Sequence, residues 1–524
     1  MPLLFSLYPD VHPENDPLYN AVVEFVDSYI DFSLFKEFSK WKGTKYHFSA
    51  LLKAQLLAYS LYGNISLRRQ ADLCRNDIRL LSFFNGSSPC YVTFQKFQQQ
   101  CMKPHMHDIF LLLSQFIEER DLCLDTDILY LDGTKYEANA NKMTFVWMKA
   151  TEKYRQKAWK QLLQLIDGIN GWLLSRNEQH RITRLRKPDI DFLFAVDDYL
   201  ESLEKKYHIV RVGGRGHRKS DIQRFRDNFV KLAMKLFKYM IHDDLAQGRN
   251  SFSKTDPDAT FMHMKYDYYN HTNVFKPGYN VQLGISSGYI RVVHVSPHCN
   301  DMNDFIPTVE KYAYSYGTYP KMVPADAGYG SADNYTYCQE NGIELMMKYP
   351  GQDKEKKITE KNRFRSWAFK RNEENIPVCP AGHEMELEDI TTRRKGVYPQ
   401  TIKKYRCTHC ADCPMQKQCT QAKNGRTLQV NEKLEEQKAI VRENMSTKEG
   451  QKIMISRSIQ AEGTFGDLKQ NEQYVRLSRR GQSNVEFEIL LVACGHNFRK
   501  YINRKKQKKE DLEKYGTERI EIKA

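Results

Sequence analysis

Three acidic residues in distinct local frames are the chain's candidates for chemistry. Asp132 closes an apolar run, Ile128-Leu129-Tyr130-Leu131, and precedes Gly133-Thr134-Lys135. Asp326 closes Met322-Val323-Pro324-Ala325 and precedes Ala327-Gly328-Tyr329-Gly330-Ser331. Glu462 falls in a helical stretch from Ser458 to Lys469. Two carboxylates at strand ends and a third on a later helix are the parts of a two-metal phosphoryl-transfer site, whose ions, about 3.5–4 Å apart, clamp the attacking and leaving oxygens. Two Mg²⁺ ions suit such a site because Mg²⁺ takes hard oxygen ligands and keeps waters; Mn²⁺ can substitute. Small residues after each aspartate would let a phosphate backbone approach. Glu462 and Lys469, seven residues apart, would share one α-helical face about 10 Å apart along the axis. Taken singly, each acid reads as a solvated surface group; it is the three frames together that carry the signal. Other acids read differently. Asp127 enters the first strand rather than ending it, and Asp256-Pro257-Asp258 suits a turn.

Five cysteines make a second cluster: Cys379, Cys407, Cys410, Cys413 and Cys419, with His383 and His409 nearby. Cys407-x-x-Cys410 presents two thiolates to one tetrahedral Zn²⁺, and structural zinc would supply a polar segment with the core it otherwise lacks. The alternative is reduced cysteines in a basic loop. The other seven cysteines are scattered and read as small core residues.

These groups must be positioned by several elements. Residues 1–120 read as a helical DNA-binding domain. Phe48 to Leu61 is an apolar helix, Ser66 caps a helix bearing Arg68 and Arg69, and Thr93 caps one bearing Lys96. That order is compatible with a helix-turn-helix as well as with an ordinary bundle. Residues 121–349 read as the first part of an α/β core, interrupted by a helical insertion at about 146–250. Residues 350–445 form a basic cysteine-bearing insertion, 446–503 a C-terminal helical part of the core, and 504–524 a basic, poorly ordered tail.

Lys and Arg number 80 against 65 Asp and Glu, a formal net charge of +15. That balance favours a polyanionic partner, nucleic acid first. No run reaches the roughly 18–20 apolar residues of a membrane span. The first residues lack a basic n-region and a cleavage site, so a reducing cytoplasm is expected.

The motifs resemble those of bacterial insertion-sequence DDE transposases. Asp132-Gly133-Thr134-Lys135 with Glu137 to Lys142 and Phe145-Val146-Trp147 is similar to the family's first motif. Ser253 to Thr260 and Lys276 to Gln282 are similar to its strand region, Ala325 to Ser331 to its second acidic motif, and Glu462 with Phe465-Gly466 and Lys469 to its third. The resemblance implies a ribonuclease-H-like catalytic core behind an all-α DNA-binding domain. It implies metal binding by Asp132, Asp326 and Glu462, a transposon-end phosphate contact by Lys469, and DNA contacts by Lys135 and Tyr329. The Arg expected four residues before the Glu is displaced: Ser458 stands there, and Arg457 beside it would serve as the DNA contact in its place with a small helix shift. The implied activity is cleavage and strand transfer at terminal inverted repeats of double-stranded DNA, by a homodimer pairing two ends, in a nucleoid-associated protein. A ribonuclease-H-like nuclease without strand transfer and an inactive transposase-derived DNA-binding protein are the alternatives.

Overall fold

The computed structural model describes residues 12–33, 46–214, 216–264, 274–355, 358–360, 362–394 and 396–515. The chain forms two units, one of Met1–Tyr136 with Asn280–Ala524 and one of Glu137–Tyr279. It is a mixed α/β protein. Its strands are β1 (Tyr130–Glu137), β2 (Phe145–Trp147), β3 (Ser251–Ser253), β4 (Thr260–His263), β5 (Phe275–Ser286), β6 (Tyr289–Ser296), β7 (Lys370–Arg371), β8 (Pro377–Val378), β9 (Glu386–Arg393), β10 (Gln400–Arg406) and β11 (Thr427–Val430). Among the described residues, no helix is long and apolar enough to cross a membrane.

In the larger unit the second half of β5 forms an antiparallel hairpin with β6, from Asn280↔Ser296 to Ser286↔Tyr289. The turn residues Ser287 and Gly288 both have positive φ, 52° and 80°, as a tight two-residue hairpin turn requires. β1 lies beside β5. Beyond β1 the chain is extended but only bridged, in parallel, at Ile128↔Met322, Met322↔Glu344 and Ala325↔Met347. Strands were expected at Met322–Ala325 and Ile343–Lys348. Pro324 has no N–H to give, so a continuous ladder cannot form there. Leu129, Leu131, Val323, Ala325 and Tyr329 are buried between these segments and the helices Phe305–Tyr316 and Ala332–Glu340.

The N-terminal helices begin where short polar side chains meet free backbone donors. Asp16 accepts from Leu18 N at 2.8 Å, and Ser66 from Arg69 N at 3.2 Å. The helix Tyr91–Phe97 starts after Cys90, not at Thr93 as expected. Thr93 N already bonds Cys90 O, so Thr93 lies inside the first turn. Gln98–Met102 is a π turn that joins this helix to Lys103–Arg120.

The last helix, Gln482–Tyr515, runs through the middle of this unit. Its Phe498 meets Phe25 edge-on and its Tyr501 meets Phe116. A Cβ on Gly495 would lie 2.7 Å from the Tyr59 carbonyl carbon, so only glycine permits this approach to the helix Phe48–Tyr62. Asn497 donates to Ile290 O and accepts from Ile290 N, both at 2.8 Å, fixing the helix to β6. The basic tail expected from residue 504 onward is helix as far as Tyr515. Arg504 Nε lies 2.9 Å and Lys508 Nζ 3.2 Å from the buried Asp121 carboxylate, which ties the basic segment down.

The cysteine-bearing segment folds on an antiparallel sheet, β11-β10-β9. Phe369, Met385, Tyr405, Leu428 and Val430 pack there with Cys379, Cys407 and Cys410. The segment therefore has an apolar core, contrary to the premise on which zinc was expected.

In the smaller unit, Met148–Ser175, Ile190–Lys206 and Asp221–Ala246 pack through Leu162, Ile166, Leu200, Phe229 and Leu236. Arg226 bridges Asp197, Glu201 and Glu204. Here β2 pairs β3, and β4 pairs the first half of β5. Asp256 closes a turn, with Ala259 N on its carbonyl, and its carboxylate accepts from Tyr279 at 2.9 Å.

Burial alone would raise the Asp121 carboxyl; Arg504, Tyr289 and Lys508 outweigh it and hold it below its ordinary value. A depressed carboxylate stabilises the fold above its unfolded pKa, about 3.9, and loses that contribution as pH falls through the folded value. Asp121→Ala, which leaves Arg504 without its partner, is expected to cost about 3 kcal/mol at pH 7. Chemical denaturation should show the wild-type advantage shrinking below about pH 4.

Candidate active site

Asp132 is the third residue of β1 rather than its last. Thr134 and Tyr136 continue the inward alternation, which carries the strand on to Glu137. The Asp132 side chain is 19% exposed. Its carboxyl is raised to about 6, by burial first and also by the charges of Asp326 and Asp301, against the lowering by Arg457 and the Gly133 N–H. Gly133 N donates to Asp132 Oδ1 at 2.9 Å. Arg457 Nη1 lies 3.9 Å from Asp132 Oδ2. Arg457 thus reaches the site despite its displaced sequence position.

Asp326 follows the bridged residue Ala325 and turns its Oδ1 to Gly328 N at 2.7 Å. Asp301, which sequence reasoning missed, joins the two. It opens the short 3-10 turn Asp301–Asn303 after β6, and its Oδ1 accepts from Asn280 Nδ2 at 2.7 Å and Gln282 Nε2 at 3.1 Å. Asn280 and Gln282 are both fully buried on one face of β5. Two amides at i and i+2 on a buried strand were the available signal, since such groups demand polar partners.

Tyr329 is fully buried and donates to Gln282 Oε1, so the expected DNA contact by its side chain is not available. Burial and then the charges of Asp301, Asp132, Asp326 and Asp304 raise its hydroxyl well above the ordinary value. The glycines also differ from expectation. A Cβ on Gly133 would stand 2.8 Å from Asp301 Oδ1 and collide with the Gln282 amide. One on Gly330 would stand 2.7 Å from Tyr349 Cα. The protein itself occupies the space that was read as room for a phosphate.

Glu462 ends a π turn, Ser458–Glu462, and a second π turn, Asp467–Asn471, holds Lys469. π turns close i→i+5, so seven residues no longer make two turns and the shared face is lost. The Glu462 carboxylate is exposed and takes no partner among the described residues. Lys469 turns inward: its Nζ donates to Thr134 Oγ1 at 2.6 Å and to Lys135 O at 3.0 Å, and sits 4.4 Å from the centre of the Tyr136 ring. The segment is pinned on its other side too. Gln460 Oε1 accepts from Gly288 N at 2.9 Å, and His496 lies 3.1 Å from Asp467. Glu462 therefore lies between two points fixed on β1, Arg457 at Asp132 and Lys469 at Thr134.

Arg68, Arg69 and Lys96 are exposed on the N-terminal helices, with Arg68 5.3 Å from the centre of the Tyr91 ring. Lys135 is half-buried.

Among the described residues, no three His, Cys, Asp or Glu side chains are grouped closely enough to hold a metal ion. The carboxylate oxygens at Asp132, Asp301 and Asp326 nonetheless have the chemistry Mg²⁺ takes, and that ion is commonly held by one or two carboxylates with waters and substrate phosphate. Cys379, Cys407, Cys410, Cys413 and Cys419 all line one small pocket. Burial raises the Cys407 thiol to about 12, with Cys410 and Cys379 adding to the effect. Of the seven scattered cysteines, Cys74, Cys101, Cys338 and Cys494 are buried, but Cys90, Cys123 and Cys299 are exposed.

Residues 378–502 match the family model described as transposase DDE domain. No curated protein and no solved structure matches the chain. Over those residues the chain is similar to a transposase DDE domain. The match takes in the five cysteines, Arg457, Glu462 and Lys469, and leaves Asp132 and Asp326 outside it. The cysteine segment, read from sequence as an insertion, thus lies within the matched domain.

The close packing at Gly133 makes a local prediction. Gly133→Ala should cost about 1–3 kcal/mol through overpacking. Gly463→Ala, whose added methyl meets nothing within 4 Å, should be neutral or gain about 0.5–1 kcal/mol of helix propensity. Thermal melts of the two variants compare them directly.

Proposed function

We propose that the chain is an insertion-sequence transposase that cleaves double-stranded DNA at terminal inverted repeats and joins the freed 3′ ends to target DNA. The single observation that carries this reading is that Arg457 and Lys469, which flank Glu462 within the matched transposase domain, both contact the strand that bears Asp132. The order of extended segments, β6, β5, β1, Met322–Ala325 and Glu344–Met347, supports a ribonuclease-H-like core. Asp132, Asp326 and Glu462 are the proposed ligands for two Mg²⁺ ions, which when bound would supply charge neutralisation and an activated water. Arg457 holds counter-charge at Asp132, and Lys469 holds Thr134 and Lys135 in register beside it. Arg68, Arg69 and Lys96 are proposed to contact DNA phosphates, with binding that weakens as salt rises. A homodimer would pair two transposon ends.

Soft thiolates are the ligands zinc takes in structural sites, and five thiols on one pocket fit that chemistry. Cys379, Cys407 and Cys410, with Cys413 or Cys419, are the proposed holders. Elemental analysis should find about one Zn²⁺ per chain, and the Cys407→Ser, Cys410→Ser double variant should lose it. Equal zinc content in both proteins would remove the proposal.

The function is tested with DNA carrying the element's ends. Mg²⁺-dependent nicking followed by joining to a second duplex is expected; nicking without joining would favour the nuclease. Asp132→Ala and Glu462→Ala should each lower cleavage by about 10²-fold or more, several kcal/mol of transition-state stabilisation. Cleavage retained by either variant would overturn that residue's assignment.

A further inference from the structure

We propose that Asp301 is a further metal-facing carboxylate of this site, oriented by a buried amide clamp; the inference rests on the transposase reading above. Its place in the fold is the first argument. Asp301 stands between the two aspartate frames: its Oδ1 is 2.8 Å from where a Gly133 Cβ would be, and its Oδ2 3.4 Å from where a Gly328 Cβ would be. Those glycines are the residue after Asp132 and the second residue after Asp326. Asp301 is therefore in reach of both frames although it is remote from each in sequence.

The second argument is how the carboxylate is held. One oxygen, Oδ1, takes both amide donors, Asn280 and Gln282, and Gln282 is itself fixed by the Tyr329 hydroxyl. The other oxygen, Oδ2, faces the Asp326 loop and takes no side-chain partner among the described residues. A carboxylate clamped through one oxygen and open at the other is how outer-shell groups orient a metal ligand. The neighbouring Asp304 is not so arranged. It is fully buried, with His298 Nδ1 at 2.6 Å from its Oδ1 and Asn280 Nδ2 at 3.4 Å from its Oδ2.

A third, independent observation points to something still to be bound. Asn280 is fully buried, and its Oδ1 has no hydrogen-bond partner although its Nδ2 serves the Asp301 carboxylate. A buried acceptor of this kind is ordinarily satisfied. Water from the shell of a hard cation is a donor of the right chemistry, because Mg²⁺ keeps several waters when protein carboxylates bind it.

The test uses the full-length protein with Mn²⁺ or Fe²⁺ as probe ions. Mn²⁺ binding followed by electron paramagnetic resonance should weaken about 10-fold or more in Asp301→Asn. The isosteric change removes a like charge, so its thermal midpoint should be unchanged or higher. A merely structural Asp301 would give the opposite pattern, a lower midpoint with unaltered Mn²⁺ affinity, and would overturn the inference. Wild-type protein loaded with Fe²⁺ and treated with ascorbate and peroxide should be cut next to Asp301 as well as next to Asp132 and Asp326; cuts at the latter two alone would also overturn it. Asp132→Asn separates the two readings. If that variant loses Mn²⁺ while Asp301→Asn keeps it, only the Asp301 inference falls. If Asp132→Asn also keeps full affinity, the metal-site reading itself falls.

Discussion

Holding carboxylates close together and partly out of water is the constraint that the larger unit meets around Asp132. Asp132, Asp301 and Asp326 approach one another in a partly buried place, and burial first, with the charges of Asp326 and Asp301 adding to it, displaces the Asp132 carboxyl upward. Taking even one ionised carboxylate out of water carries a penalty of several kcal/mol unless donors replace the lost solvent. Each acid here has such donors. Gly133 N–H serves Asp132, Gly328 N–H serves Asp326, and two buried amides serve Asp301. Among the described residues, the cation against Asp132 is Arg457, at a distance that offsets its charge without a tight hydrogen-bonded pair. These donors let the three acids stand near one another within the fold.

Supplying those donors requires distant parts of the chain to meet. β5 contributes the amides, β1 the first aspartate, and the loop after Ala325 the second. The Arg457–Lys469 segment is braced from behind by Gln460 on the β5–β6 turn and by His496 from the last helix. Among the described residues, that last helix gives the three acids no hydrogen bond or ion pair. It nevertheless fixes β6 through Asn497 and the N-terminal helices through Phe498 and the close approach at Gly495. Disturbing its anchor at Asp121 would reach the acidic site through this packing, with no direct contact between them.

What was legible in the sequence follows from this arrangement. Asp132 and Asp326 announce themselves because each ends an apolar run that can only be buried, which local pattern reveals. The apolar helix Phe48–Tyr62 and the capping role of Ser66 were legible for the same reason. Asp301 was not, because its significance comes from Asn280 and Gln282, some twenty residues away on another strand. The inward turn of Lys469 was hidden by the π turns, since helical spacing assumes i→i+4 bonding throughout. The short bridged segments around Pro324 look like strands in composition, but a missing N–H decides their pairing. The order of the tail was hidden likewise. Lys and Arg read as solvated until a buried acid is placed beneath them, and Asp121 lies hundreds of residues earlier.

The position of Glu462 shows how a residue can be constrained without being engaged. Its backbone is held on both sides, by Arg457 against Asp132 and by Lys469 against Thr134, so its helix segment cannot drift from β1. Its side chain, exposed and without a partner among the described residues, keeps its rotamer freedom. Ordering such a side chain costs on the order of 1.5–2 kcal/mol, far less than moving the segment that carries it. The costlier part of positioning Glu462 near β1 is therefore already met in the fold, through contacts made by its neighbours. The π turns around it are the local compromise that lets those neighbours, at positions 457, 460, 467 and 469, reach β1, the hairpin turn and the last helix at once.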